Sequence, residues 1–289
     1  MGWFEQRAGL DGTVAVITGG AGGLGQAIVT DLAANGVRTA VLDTDGEAIE
    51  QLRARLAADG HEALLRQGDV RDPDTLAALF TAVDDRWGRL DTLVNLAGGT
   101  FRAPFTDTSP NSWNALLRMN LLHVLQACSL AVPRMRAGGR GGSIVNITTI
   151  EAHRAAPGYA VYSAAKAAVE QFSRTLAVEV APDNIRINNI APDFVPTPNL
   201  EKMAGGNGHS GDRSLYEPDG VRVAIPMARA GAVTDISNCV VFLASRLSTY
   251  LTGTTLHPDG GTYASAGWFN WPGDGWANHA PLNLIRGGH

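Results

Sequence analysis

Seven short β-branched or apolar runs, separated by longer segments of helical periodicity, leave this chain few folds to choose from. The runs are Val14–Ile17, Thr39–Leu42, Ala63–Gln67, Thr92–Val94, Ser143–Ile147, Ile185–Ile190 and Thr254–His257. Between them, amphipathic spacing predicts helices over Leu24–Ala34, Glu47–Ala58, Asp74–Trp87, Asn111–Met135, Gly158–Val180 and Asp235–Leu247. Strands alternating with helices pair in parallel through right-handed crossovers, so the expected fold is α/β. It is a single-domain, doubly wound Rossmann sheet of about seven strands with helices on both faces. No internal repeat or low-complexity linker divides it. The expected main domain is 1–266, with an excursion at 196–226 rich in Pro and Gly, and an aromatic extension at 267–289.

Composition removes several classes of function. With 23 Lys+Arg against 28 Asp+Glu, the net charge of −5 offers no footprint for nucleic acid or anionic lipid. The most apolar long stretch, Leu116–Val132, carries Arg118, Asn120, His123 and Gln126, so no membrane span is expected. Cys128 and Cys239 fit neither a disulfide framework nor a metal motif and read as small buried residues. His153 and His209 are too isolated to suggest a metal, so none is expected. Met1–Gln6 shows no secretory pattern, and a cytoplasmic setting is the expectation.

The first strand runs into Thr18-Gly19-Gly20-Ala21-Gly22-Gly23-Leu24-Gly25 and then a helix. Glycines let the backbone turn tightly and approach a diphosphate, and free amides at the helix start attract an anion. Two glycine registers are satisfied, Gly20-x-Gly22-x-x-Gly25 and Gly19-x-x-x-Gly23-x-Gly25. The second strand closes on Asp43, placed as an acidic residue about 20 residues beyond such a loop is placed to hold adenosine ribose hydroxyls. A carboxylate there repels a 2′-phosphate, and no Arg in the glycine loop or in Thr44-Asp45 offsets it, so NAD is favoured over NADP. Asp69 and Asn95-Leu96-Ala97-Gly98 follow the third and fourth strands, at the sheet edge where open α/β folds bind ligands.

Tyr162 and Lys166 are four apart on one helical face. An ammonium beside a phenol favours phenolate and makes the phenol a usable acid or base. Only Lys166 and Lys202 among the 23 basic residues are lysines, so a lysine at this spacing carries information. Arginine holds its proton too tightly to take its place.

Taken in order, Thr18-Gly19-x-x-x-Gly23-x-Gly25, Asn95-x-Ala97-Gly98, Asn120, Thr149, Tyr162-x-x-x-Lys166 and Asp259-Gly260-Gly261 make the chain resemble the short-chain dehydrogenase/reductase family over roughly residues 10–263. The resemblance selects the second glycine register. It implies that Tyr162 exchanges a proton with the substrate oxygen, and that Lys166 holds the nicotinamide ribose and lowers the Tyr162 pKa. Asn120 would anchor a water behind Lys166, and Thr149, thirteen residues before the tyrosine, would polarise the substrate oxygen. The implied cofactor contacts are Gly19, Gly22, Gly23, Leu24, Gly25, Asp43, Asp69, Val70, Asn95, Ala97, Gly98, Tyr162, Lys166, Pro192, Val195 and Thr197.

Three positions depart from the family's usual residues: Thr149 for serine, Leu96 for asparagine and Asp193 for glycine. Threonine keeps the hydroxyl while stiffening χ1. The expected activity is NAD-dependent interconversion of a secondary alcohol and a ketone, with a cyclic or steroid-like alcohol and a ring diol equally open. The alternative is a dinucleotide-binding protein with little or no turnover. The pocket mouth is expected around Gly99-Thr100-Phe101, Glu151–His153, Tyr159, Phe194, Met203, Leu215 and Tyr216. Small residues Ala164, Ala165, Ala167 and Ala168 resemble the family's dimer helix, and a homodimer or homotetramer is expected. Trp268, Phe269, Trp271 and Trp276 would cover a neighbouring subunit or a pocket, or else pack on the chain's own surface.

Overall fold

The computed structural model describes residues 2–198 and 217–281. Its main sheet has seven parallel strands: β1 Val14–Thr18, β2 Arg38–Asp43, β3 Ala63–Gln67, β4 Thr92–Asn95, β5 Gly142–Ile147, β6 Ile185–Ile190 and β7 Thr255–Leu256. They lie in the order β3-β2-β1-β4-β5-β6-β7, so the chain reverses direction between β1 and β4. That reversal opens a crevice at the strand C-termini, the switch point where such sheets bind ligands. In register, Thr18 stands beside Asn95 and Asn95 beside Asn146, which brings the ends of β1, β4 and β5 level.

Alternate residues of each strand feed opposite faces. In β1, Ala15 and Ile17 join Ile28, Leu32, Ile236 and Val240 on one side. Val14 and Val16 join Leu76, Phe80, Val124 and Ile187 on the other. Because both faces are covered, β1 is buried at every position, which is why its sequence reads as a continuous apolar run.

The helices are α1 Trp3–Ala8, α2 Gly23–Ala34, α3 Gly46–Ala58, α4 Pro73–Trp87, α5 Pro110–Leu117, α6 His123–Gly138, α7 Ala160–Val180, α8 Pro218–Ala224, α9 Val233–Ala244 and α10 Thr262–Ser265. Helix starts carry chemical signals. Asp45 accepts from Ala48 N, Asp72 from Asp74 N ahead of Pro73, and Ser109 from Ser112 N ahead of Pro110. The single helix expected over Asn111–Met135 is interrupted by one π turn, Arg118–Leu122, between α5 and α6. Periodicity alone does not register a one-residue insertion of this kind, and π turns concentrate at functional sites. Helix α9 stops at Ala244, three residues early, where the Ser245 hydroxyl accepts from Leu247 N to start a 3₁₀ turn.

Residues 110–138 are the one helical run among the described residues long and apolar enough to cross a membrane by length and composition. In this fold Val124, Ala127, Cys128, Ala131 and Met135 of that run lie in the core against the sheet. The aromatic extension forms an antiparallel hairpin, β8 Phe269–Trp271 with β9 Gly275–Ala277, and β8 packs against α8. Trp268 and Trp276 remain about half exposed, at 48% and 49%.

Candidate active site

The glycine loop is shaped by backbone contacts that side chains would block. Gly19 sits at φ +73°, and a Cβ there would lie 2.9 Å from the Ala97 backbone. Its N–H donates to Leu42 O at 2.7 Å, while Ala97 N donates to Thr18 Oγ1 at 3.3 Å. The turn is thus pinned between β2 and the loop after β4. A Cβ on Gly25 would press on the Gly19 carbonyl and lie 2.6 Å from Gly20 Cα. Gly22 caps α2 with no side chain, and Leu24 follows Gly23 in its first turn. This tight turn ahead of an uncapped helix start is the geometry a diphosphate requires, so the residues fit a dinucleotide.

Asp43 lies at the end of β2, where its Oδ2 accepts from Ala21 N at 2.9 Å and its Oδ1 from Asp45 N at 3.1 Å. The carboxylate therefore also shapes the glycine loop, a duty its spacing did not disclose. Val70 is buried. The Asp69 carboxylate is held below its ordinary range by hydrogen bonds from the Arg71 guanidinium. On the far side of the crevice, Pro192 O accepts from Ile150 N at 3.1 Å, Val195 is buried, and Thr197 faces Gly23.

Asn95 closes β4, and its side chain bonds within the sheet. Its Nδ2 donates to Asn146 Oδ1 at 2.8 Å, Asn146 Nδ2 donates to Ser173 Oγ at 2.9 Å, and Ser173 Oγ donates to Asn189 Oδ1 at 2.7 Å. The side chain is one rung of a buried polar ladder across β4, β5 and β6. Its side-chain nitrogen is thus used inside the sheet.

Lys166, Asn120 and Gly98 meet at one point. A Cβ on Gly98 would come within 3.1 Å of Asn120 Oδ1 and 3.3 Å of Lys166 Nζ. Asn120, fully buried in the π turn, donates from Nδ2 to Gly99 O at 2.8 Å and Leu116 O at 3.0 Å, and accepts from Gly99 N at 3.2 Å. Its amide is committed to tying the 98–99 loop to the helix. Lys166 Nζ donates to Ile147 O at 2.9 Å, and burial pulls its pKa down to about 8.

Thr149 follows β5 in extended geometry, its Oγ1 accepting from Glu151 N at 3.3 Å and hydrogen-bonding the Tyr162 hydroxyl. Burial pushes the Tyr162 pKa up to about 12, with the Thr149 hydrogen bond opposing and the Glu151 charge adding to the rise. The lowering expected from Lys166 is opposed by burial, the largest influence on this phenol, and the ammonium lies 6.0 Å from the ring centre while bonded to Ile147 O. Thr100, Phe101, Phe105, Leu116 and Tyr159 line a hollow beside Tyr162. Met203, Leu215, Tyr216 and His209 lie outside the described residues.

A buried cationic lysine also sets a stability slope. A folded pKa near 8 against an ordinary 10.5 means the charged form opposes folding fully below pH 8 and no longer above 10.5. Against a Lys166→Met variant, the wild type should gain relative stability as pH rises from about 8 to 10.5. Urea midpoints across that range check it, and a flat difference would contradict it.

Sequence reasoning passed over His123, Glu170 and Arg154. His123 is buried one turn beyond Asn120, its pKa drawn down to about 4 by burial and by the Lys166 charge. Glu170, also buried, accepts from Thr148 Oγ1 at 2.9 Å and pairs with His153 Nε2 at 2.9 Å. A carboxylate one helical turn beyond Lys166 was a visible signal; its partners, far along the chain, were not. No group of three or more metal-ligating side chains occurs among the described residues.

Comparison with known proteins agrees with this arrangement. Residues 19–263 match the family model described as enoyl-(acyl carrier protein) reductase. The chain is 34% identical over 254 residues to the oxidoreductase UcpA of Escherichia coli K12, covering 88% of this chain and 95% of that one. It is 33% identical over 254 residues to the 3-oxoacyl-[acyl-carrier-protein] reductase of Synechocystis, covering 87% and 97%. Among solved structures, levodione reductase superposes with a TM-score of 0.81 at 30% identity, covering 88% of this chain and 98% of its own. With the glycine cradle, Tyr162 and Lys166 at one crevice, the chain belongs to the short-chain dehydrogenase/reductase family of nicotinamide-dependent oxidoreductases.

Proposed function

We propose that this chain interconverts a secondary alcohol and a ketone with NAD. The observation that carries this reading is the Tyr162 hydroxyl, hydrogen-bonded to Thr149 and four residues from the buried Lys166, at the sheet edge that also holds the glycine cradle. Gly19, Gly22, Gly23, Leu24 and Gly25 would hold the diphosphate, Asp43 the adenosine ribose, and Asp69 with Val70 the adenine end. Ala97 and Gly98 would border the ribose that Lys166 holds, and Pro192, Val195 and Thr197 would border the carboxamide. When bound, NAD supplies the hydride donor or acceptor at the substrate carbon.

The protein supplies the remaining chemistry. Thr149 Oγ1 donates a hydrogen bond to the substrate oxygen and fixes it against Tyr162. In reduction the Tyr162 hydroxyl gives that oxygen its proton; in oxidation the phenolate removes it. Lys166, positively charged below about pH 8, would hold the nicotinamide ribose and favour phenolate through its charge. The hydroxyl pair in place between Thr149 and Tyr162 favours turnover over a binding-only protein.

A panel of alcohols mixed with NAD and with NADP, followed by absorbance of the reduced nicotinamide, tests the reading; no signal with any of them would sink it. Replacing Asp43 by Ala should narrow the NAD-over-NADP ratio of kcat/KM by about tenfold, the size of one lost charge-assisted contact. An unchanged ratio would remove the ribose role. We further read α7 as a self-association surface of a homodimer or homotetramer and the chain as a cytoplasmic enzyme, and sedimentation at several concentrations checks the assembly. The 1–266 catalytic body and 267–289 extension are proposed as its functional division.

A further inference from the structure

Three loops at the C-terminal edge of the sheet converge on one carboxylate. Arg154 Nη2 donates to Glu151 Oε1 at 2.9 Å, within the turn that begins at Thr149, and to Asp193 Oδ1 at 3.2 Å, in the loop after β6. The Thr262 hydroxyl, at the start of α10 after β7, is shared between the Asp193 carboxyl and the Asp259 carbonyl. Asp193 is largely enclosed, at 16% side-chain exposure. The same two loops are joined by backbone, Ile150 N donating to Pro192 O at 3.1 Å and Thr148 N to Ile190 O at 2.7 Å. Beyond Asp193, Val195 is buried and Thr197 lies against Gly23, so this loop is wedged between the glycine turn and the Thr149 turn.

We propose that Asp193 and Arg154 act as a positioning clamp, fixing the spacing between the dinucleotide-facing loop 192–197 and the Thr149 hydroxyl. The inference rests on the dinucleotide reading above and adds to it a pair of residues that touch no reacting atom. Asp193 stands where the resembled family usually has glycine, so here the loop is held by a side chain. A displaced contact of about 1 Å at such a loop is enough to cost an enzyme large factors in rate and binding. The clamp needs the carboxylate charged. Burial raises the Asp193 pKa, the Arg154 guanidinium opposes this, and Glu151 and Asp259 add to the rise, so acidification should release the clamp at a higher pH than for an ordinary aspartate.

The test measures the Kd for NAD by titration calorimetry and the kcat for a turned-over alcohol. Asp193→Ala, Arg154→Ala and the double variant are compared with the wild type, with Asp193→Asn as an isosteric control against misfolding. Each single variant should weaken the Kd about tenfold, and the double no more than either single, because both remove one bridge. Wild-type Kd should worsen on acidification, and that dependence should be absent in Asp193→Asn. Unchanged Kd in the single variants, additive losses in the double, or an unaltered pH profile in Asp193→Asn would each overturn the clamp. A wild type that binds no NAD would instead overturn the dinucleotide reading and the clamp with it.

Discussion

Replacing Tyr162 by Phe should lower kcat by about a thousandfold or more while leaving the Kd for NAD within a few-fold of wild type. General acid–base groups contribute on the order of 10² to 10⁴ in rate, and this phenol is the group proposed to move the proton. The variant keeps the ring and removes one hydroxyl, so the packing beside Tyr159 persists and only the hydrogen bond to Thr149 is lost. Steady-state kinetics alongside calorimetry separate the two effects. Retained turnover would refute the assignment, and loss of binding as well would show that the ring, rather than its proton, is what the site uses. Thr149→Ser, which restores the family's usual residue, keeps the hydroxyl and serves as a control expected to stay active.

Gly25→Ala should open the dinucleotide cradle and weaken NAD binding by roughly ten- to a hundredfold. An added methyl at this position has no free volume, since it would press on the Gly19 carbonyl and meet Gly20 Cα at 2.6 Å and Gly20 C at 2.7 Å. Both neighbours are backbone and cannot rotate aside, so the turn itself must open. Overpacking of this kind costs about 1–3 kcal/mol. If most of that strain is expressed as an opened anion cradle, the Kd for NAD should weaken by roughly ten- to a hundredfold. Gly60→Ala is a useful comparison: Gly60 has positive φ, at +74°, where a side chain is strained, but nothing lies within 4 Å of its would-be Cβ. That variant should lose some stability and bind NAD as the wild type does. Equal effects of the two on binding would mean that the crowding at Gly25 does not matter to the ligand.

The sheet was legible because burial on both faces makes central strands such as β1 short apolar runs, and the helices because their apolar residues recur at helical spacing. What periodicity missed was local geometry set from elsewhere in the chain. The π turn at Arg118–Leu122 leaves the apolar spacing nearly intact while rotating Asn120 toward Gly99. The hairpin at Phe269–Ala277 is built on Gly273 and Gly275 at positive φ, inside a segment whose tryptophans drew the eye to a binding role.

The site divided in the same way. Tyr162, Lys166, Thr149 and the glycines could be named because their chemistry follows from residue type and short spacing. The side-chain bonding of Asn95 was not legible, because the ladder it joins at Asn146 runs on through Ser173 to Asn189 in other elements. The direction of the Tyr162 shift was also out of reach. Spacing shows that an ammonium is near, whereas burial and the reach of Lys166 to Ile147 O are properties of the folded chain.

The most direct measurement follows a label. With a reduced dinucleotide carrying deuterium at nicotinamide C4 on the transferring face and a ketone that the enzyme accepts, mass spectrometry should find one deuterium on the carbinol carbon of the product and none on its oxygen after exchange into ordinary water. Product formed without label on carbon would contradict direct hydride transfer at this site.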